Sequence, residues 1–173
     1  MVTDRLLLRP FQLKDAHEVQ LLAGDRDIAA TAWEIAHPYK DGLAEEWIST
    51  HKDKFERGEF VCFAIKHHEN NHLIGSISLK ISQHHNKAEL GYWVGKPYWG
   101  NGYCTEAAIV ILRYGFEQLG LNRIFALSMV GNDASGRVLE KVGMKYEGYI
   151  RQGILRWNVY KDINLYSILR NEY

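Results

Sequence analysis

The spacing of apolar and polar positions changes several times along the chain, and each change predicts an element. "RLLLRPF" (Arg5 to Phe11) reads as a strand, and Leu13, Ala16, Val19, Leu22 and Ala23 then recur at helical intervals. After a loop carrying Pro38, the set Ala44, Trp47, Ile48 and Phe55 predicts a second amphipathic helix that ends near Gly58. The runs "FVCFAIKHH", "HLIGSISLKIS" and "KAELGYWV" follow with turn residues between them, the signature of an antiparallel meander. Ala108, Ile111, Leu112, Phe116 and Leu119 share one helical face. "RIFALSMV" is then a strand, a helix from Ser135 to Val142 ends at Gly143, and "KYEGYIRQ" with "WNVYKDINLYSIL" closes as a hairpin. This order predicts a mixed α/β sheet in a single domain over residues 1–173, with no repeat or linker to divide it.

Composition changes this picture only by exclusion. With 46% apolar and 24% charged residues, the 173-residue chain can bury a core without metals or disulfides. Its 21 basic residues balance 21 acidic ones, so no global field draws it to nucleic acid or to an anionic membrane. Any charged ligand must meet a local site. Cys62 and Cys104 are too few for a disulfide framework, and the leucine run near the N-terminus is too short for a secretory signal; both point to a cytoplasmic protein. No apolar stretch approaches the roughly 20 residues that span a bilayer. The histidines His67, His68 and His72 fall about 30 Å from His84 and His85, at opposite ends of one predicted strand. One metal cannot join the two groups, and no metal is expected.

The candidate chemistry lies in "PYWGNGYCTEAA", residues 97 to 108. Gly100 and Gly102 stand between a predicted strand and a predicted helix. They fit a tight connection that needs unusual φ values, and equally a cradle whose backbone N–H groups and helix dipole hold a phosphate. Glu106 counts against the cradle because its charge competes for the same dipole. The P-loop and dinucleotide-binding spacings are absent, which argues against NTPases and dehydrogenases.

Taken together, "RLLLRPF", "AELGYWV", "YWGNGYCTEA", "NDASGRVLEKVGM", "EGYIRQ" and "YKDINLYSIL" resemble, in order, blocks of the GNAT superfamily of acyl-CoA N-acyltransferases. The likeness is greatest to the branch containing ribosomal-protein alanine N-acetyltransferases, and it covers nearly the whole chain. It implies a mixed, mostly antiparallel sheet of about seven strands flanked by four helices, and acetyl-CoA as co-substrate. It also implies that backbone amides of Trp99, Gly100, Asn101, Gly102, Tyr103, Cys104 and Thr105 hold the CoA pyrophosphate. Backbone groups at Trp93 and Val94 would stabilise the tetrahedral intermediate, Asn132 would bind the pantetheine arm, and Ser135 would protonate the departing thiolate. Two residues depart from the loop pattern: Trp99 replaces a polar residue and Cys104 a small one. Cys104 also admits a nucleophilic reading, against that of a packing thiol. Asn132 and Ser135 are equally what a turn and a helix N-cap would select.

Acyl transfer needs a neutral amine. A lysine near pKa 10.4 is about 4 to 5 kcal/mol from neutrality at pH 7, whereas an α-amine near 7.7 to 8.0 is only about 1 kcal/mol away. The glutamate proposed as base in some resembled proteins falls on Ile154, so that role does not transfer. Glu89 remains, sharing a strand face with Gly91 and Trp93; solvated strand polarity explains it equally well. Glu147 and Asp162 also match positions of the resembled family, but structural hydrogen bonding explains them at least as well. The acceptor is expected to be a protein N-terminal amine or a small molecule. A polyamine or aminoglycoside would draw on Asp25, Asp27, Glu34, Glu45 and Glu46, and a non-catalytic CoA-binding module is a further alternative. Strand edges in the last hairpin could pair in a homodimer.

Overall fold

Leu6 and Leu8 are fully buried along β1 (Leu6–Pro10), with Leu7 less so, which is the period-two alternation of a strand with one covered face. The computed structural model describes all residues 1–173 and places this strand at one edge of a seven-stranded sheet. The others are β2 (Phe60–His67), β3 (Leu73–Ser82), β4 (Lys87–Val94), β5 (Arg123–Met129), β6 (Lys145–Arg156) and β7 (Val159–Leu169), in the order β1-β2-β3-β4-β5-β7-β6. All neighbours are antiparallel except β4 and β5.

That parallel pair governs the architecture. It is formed only by Lys87↔Arg123, Ala88↔Ile124 and Glu89↔Phe125, whereas β3 stays paired with β4 as far as Gly75↔Val94 and β7 with β5 as far as Met129↔Ile163. Beyond Glu89 and Phe125 the sheet therefore opens. One face is covered by α5 (Tyr103–Arg113) and α6 (Asp133–Lys141), over a core that includes Ala88, Leu90, Ile111, Leu112 and Leu139. The other is covered by α1 (Ala16–Ala23) and α3 (Leu43–Ser49), where Val19, Ala44, Ile48 and Leu73 form a smaller cluster with Trp93 against it.

The helices are more broken than the sequence predicts. A further helix, α2 (Arg26–Thr31), follows α1, started by the Asp25 side chain accepting from the Asp27 amide. The second expected helix is divided into α3 and α4 (His51–Glu56). Near the division, Ser49 Oγ and Thr50 Oγ1 donate to the carbonyls of Glu46 and Trp47, a local alternative that disturbs a helical ladder. Six short helices thus stand where four are expected. None is long and apolar enough to cross a membrane. The edge expected to pair in a dimer is β6, whose register against β7 shifts twice; such bulges disrupt the ladder an incoming strand would need.

A buried ionic cluster joins β1, α1, β2 and β3. Asp15, 1% exposed, accepts two 2.7 Å hydrogen bonds from Arg9 and one of 2.9 Å from the Gln12 amide. Lys66 reaches Asp15 at 3.4 Å and Glu18 at 3.1 Å, and Glu18 accepts from the Leu73 amide at 2.9 Å. Burial opposes ionisation of Asp15, but its bonds to Arg9 and Gln12 and the nearby Lys66 outweigh it, so the carboxyl lies below its ordinary 3.8. A depressed folded value stabilises above the unfolded pKa and ceases to do so as pH falls through the folded one. Removing one member of a buried ion pair strands the other. Asp15→Asn should therefore lose about 3–5 kcal/mol of stability to urea at pH 7, with the gap from the unsubstituted protein narrowing below about pH 4. An equal gap at pH 7 and at pH 2.5 would contradict the ionic account.

Candidate active site

Gly100 and Gly102 both adopt positive φ, +78° and +76°, so the turn reading of the two glycines is met. The same turn also leaves donors free. A Cβ at Gly100 would meet no protein atom within 4 Å. No protein group accepts from the amides of Gly100, Asn101, Gly102, Tyr103, Cys104 or Thr105, and the N-cap Gly102 has no side chain to cap them. The Trp99 amide differs from expectation, since it donates to the Lys96 carbonyl at 3.2 Å. The Asn101 amide is free, but other polar groups of the residue are engaged. Its Nδ2 donates to the carbonyls of Tyr98 and Trp99, its own carbonyl accepts from Arg5 Nη1 at 2.9 Å, and it lies off the cleft wall.

Glu106, the charge that argues against an anion here, is neutralised. Arg5 Nη2 lies 2.6 Å from Glu106 Oε2, and Thr3 Oγ1 and the Arg5 amide donate to Oε1. Burial works against the carboxylate, yet these bonds hold it below its usual range. Arg5 also stacks over the Tyr103 ring at 4.8 Å, so one side chain braces both the loop and the first turn of α5. Trp99 folds back: its indole N–H donates to the Val94 carbonyl at 2.6 Å, tying the loop to the end of β4.

The opening between β4 and β5 continues into a cleft of about 880 Å³ lined by Glu89, Trp93, Val94, Trp99, Gly100, Gly102, Tyr103, Cys104, Thr105, Asn132 and Ser135. The structure thus gathers every sequence-predicted site residue except Asn101. Gly95 N donates to Ile74 O on β3, so by alternation the main-chain groups of Val94 and Tyr92 point the other way, into the opening, while those of Trp93, expected there too, face β3 instead. The Glu89 carboxylate accepts no hydrogen bond from the protein. Burial, and next the charge of Glu34, raise its carboxyl above the ordinary 4.5, with Lys80 acting in the opposite direction.

Glu34 reaches the cleft from the loop between α2 and α3, and that loop is pinned by the last hairpin. Arg156 donates to the Trp33 and Ile35 carbonyls, at 3.2 and 2.8 Å, on either side of Glu34. Arg156 itself stacks on Trp157 at 4.7 Å, at a two-residue turn where Trp157 and Asn158 both take positive φ. Of the other acidic candidates only Glu46 lines the cleft; Asp27 is paired with Lys96 at 2.5 Å.

At the start of α6, Asn132 Oδ1 accepts from the Ser135 amide at 3.2 Å, so the local N-cap reading is present while its Nδ2 stays uncommitted. Ser135 Oγ lies 2.8 Å from Tyr92 Oη, a residue sequence reasoning passed over. Its signal was slight: Tyr92 falls on the strand face opposite Glu89, which alternation assigns to the core. Arg5 and Arg156 gave no local signal, because their partners lie 96 and 121 positions away or more. Glu147 is structural as expected, bonded by Arg123 and Ser167 and drawn down to about 2. Asp162 accepts from the Gln152 amide at 2.7 Å. Ile154 sits on β6 opposite Lys161 and offers no base.

Comparison with known proteins agrees with this geometry. Residues 5–145 match the family described as "Acetyltransferase (GNAT) domain". The uncharacterized N-acetyltransferase YoaA of Bacillus subtilis is 31% identical, covering 97% of this chain and 95% of its own length. A GNAT-family acetyltransferase from Bacillus anthracis superposes with a TM-score of 0.88 at 29% identity, covering 99% of each chain. The ribosomal-protein-serine acetyltransferase of Escherichia coli is 30% identical over 100 residues, 57% of this chain and 56% of its own. The chain belongs to the GNAT acetyltransferase family. It is an N-acetyltransferase.

The two thiols do not fit nucleophiles. Burial pushes Cys104 up to about 12, and it pushes Cys62 to about 12 against the opposing contact with Ser76. Iodoacetamide at pH 8 should leave both unmodified over an hour in the folded protein and alkylate both within minutes in urea. Rapid modification of native Cys104 would restore the nucleophile reading.

Proposed function

We propose that the protein transfers the acetyl group of acetyl-CoA to a primary amine by direct attack, and that its acceptor is a protein N-terminal α-amine in the cytoplasm. The observation that carries the reading is the set of unbonded amides of Gly100, Gly102, Tyr103, Cys104 and Thr105 on the wall of the cleft that also holds Glu89. Such a set at a helix N-terminus binds diphosphate with main chain alone, and the loop accepts it because Arg5 has removed the charge of Glu106. The co-substrate supplies an activated thioester. Asn132 Nδ2 is free to bond the arm that carries it, and the Val94 amide faces the space where negative charge would develop on the carbonyl oxygen.

The two sheet faces divide the work. Glu89 lies on the α1 and α3 face, Ser135 and the glycine loop on the α5 and α6 face, and the opening connects them. An amine arriving on the first face gives one proton to Glu89 as its nitrogen bonds to the thioester carbon; the carbon–sulfur bond breaks, and its electron pair leaves with sulfur on the second face. Burial keeps Glu89 a stronger base than a solvated carboxylate, though still a modest one. A modest base suits an α-amine, which is already close to neutral. A second reading rests on Glu34 and Glu46, which line the cleft with Glu89 and suit a polyamine.

The decisive assay offers acetyl-CoA with a peptide bearing a free N-terminal alanine, a lysine peptide blocked at its N-terminus, and spermidine. The alanine peptide should turn over fastest; faster lysine acetylation would remove the α-amine reading, and faster spermidine acetylation would install the second. Glu89→Gln should lower kcat by about 100-fold or more. It should also abolish a rise of kcat/KM with pH whose midpoint lies above the ordinary glutamate range, since the raised carboxyl must lose its proton to act.

A further inference from the structure

Tyr92 and Ser135 meet across the junction of β4 and α6, and their hydroxyls can be apportioned. Tyr92 Oη lies 2.8 Å from Ser135 Oγ and 3.3 Å from the Ser135 carbonyl, so both of its contacts are with one residue. Each hydroxyl has a single proton to donate. The carbonyl can only accept, and no other protein acceptor lies within reach of either hydroxyl. If Ser135 donated to Tyr92, its proton would be turned into the protein. If Tyr92 donates to Ser135, the serine proton is released to point into the cleft that Ser135 lines.

The distances select the second arrangement: the single Tyr92 proton has two acceptors, the Ser135 carbonyl at 3.3 Å and Ser135 Oγ at 2.8 Å, and the shorter contact is the stronger hydrogen bond. Tyr92 packs against the main core, and its burial above all disfavours a tyrosinate there, with Cys104 and Tyr166 acting in the same direction. Tyr92 therefore remains a neutral donor. Ser135 is fixed at its other end, because its amide donates to Asn132 Oδ1. A serine held by its amide and by an incoming hydrogen bond at Oγ has one direction left for its own proton.

We propose that Tyr92 is a positioning residue: it occupies the acceptor side of the Ser135 hydroxyl and so aims the serine proton at the sulfur that leaves on the α5 and α6 face. The inference rests on the proposed acetyl transfer. In it Ser135 donates a hydrogen bond to sulfur as the carbon–sulfur bond breaks. Tyr92 touches no reacting atom.

The test is a double-substitution cycle on the full chain with Tyr92→Phe, Ser135→Ala and both together. Steady-state kinetics would use acetyl-CoA and the N-terminal-alanine peptide, with thermal unfolding in parallel. Each single substitution should lower kcat about tenfold, the size of one lost hydrogen bond in a buried site. KM for both substrates should change little, and the double variant should lose no more than Ser135→Ala alone. Multiplying losses, or a Tyr92→Phe variant as active as the parent, would overturn the proposal. So would a loss confined to KM, or one that tracks a fall in melting temperature and is recovered at lower temperature. Absence of turnover in the unsubstituted protein would instead remove the acetyl-transfer reading itself, so the two failures are distinct.

Discussion

Strands β4 and β5 hydrogen-bond only from Lys87 to Glu89 on one side and Arg123 to Phe125 on the other, and everything functional in the molecule depends on their parting. A fully paired sheet would separate the two helical layers completely. Because the pairing stops, the main chain of β4 beyond Glu89 faces a cleft instead of a neighbouring strand. A strand whose side chains alternate between faces then carries a carboxylate on one side of the opening and a tyrosine on the other. Glu89 and Tyr92 are three positions apart, yet they serve opposite sides of the sheet.

The second constraint is electrostatic. A carboxylate in the first turn of a helix occupies the same favourable field that an incoming anion would use, an effect of about 0.3–1 kcal/mol for an exposed charge. Left alone, Glu106 would weaken any diphosphate bound before α5. Arg5 reverses this by pairing with Glu106 while donating to the Asn101 carbonyl, which turns an opposing charge into a brace for the loop. The first residues of the chain thus act on a loop nearly one hundred positions away, which gives "RLLLRPF" a role beyond that of an edge strand.

Much of this was legible in the sequence because it rests on short-range rules. Alternation located all the strands, and the glycine pair marked the turn before α5. The divided helix was not legible, since hydroxyl groups such as Thr50 bond to helix or to solvent according to packing that a linear pattern does not contain. For the site, the resemblance of ordered blocks brought together residues that periodicity alone left scattered. Local bonding changes one donor of that set: Trp99 uses its amide within its own turn, whereas the Asn101 amide stays free although its carbonyl accepts from Arg5. Arg5, Arg156 and the Tyr92–Ser135 contact escaped because each depends on partners distant in the chain. The acidic residues near the acceptor region looked equivalent in sequence, but folding sorted them into Glu34 and Glu46 on the cleft and Asp27 in an ion pair.

The central claim is that the sheet opening and the bare amides beside it form one continuous binding surface. A crystal structure of the protein with acetyl-CoA addresses it directly. The account predicts the diphosphate against the amides of Gly100 to Thr105 and the thioester carbonyl within hydrogen-bonding distance of the Val94 amide, between β4 and β5. A co-substrate seated elsewhere, or a diphosphate held only by lysine and arginine side chains while those amides face solvent, would contradict it.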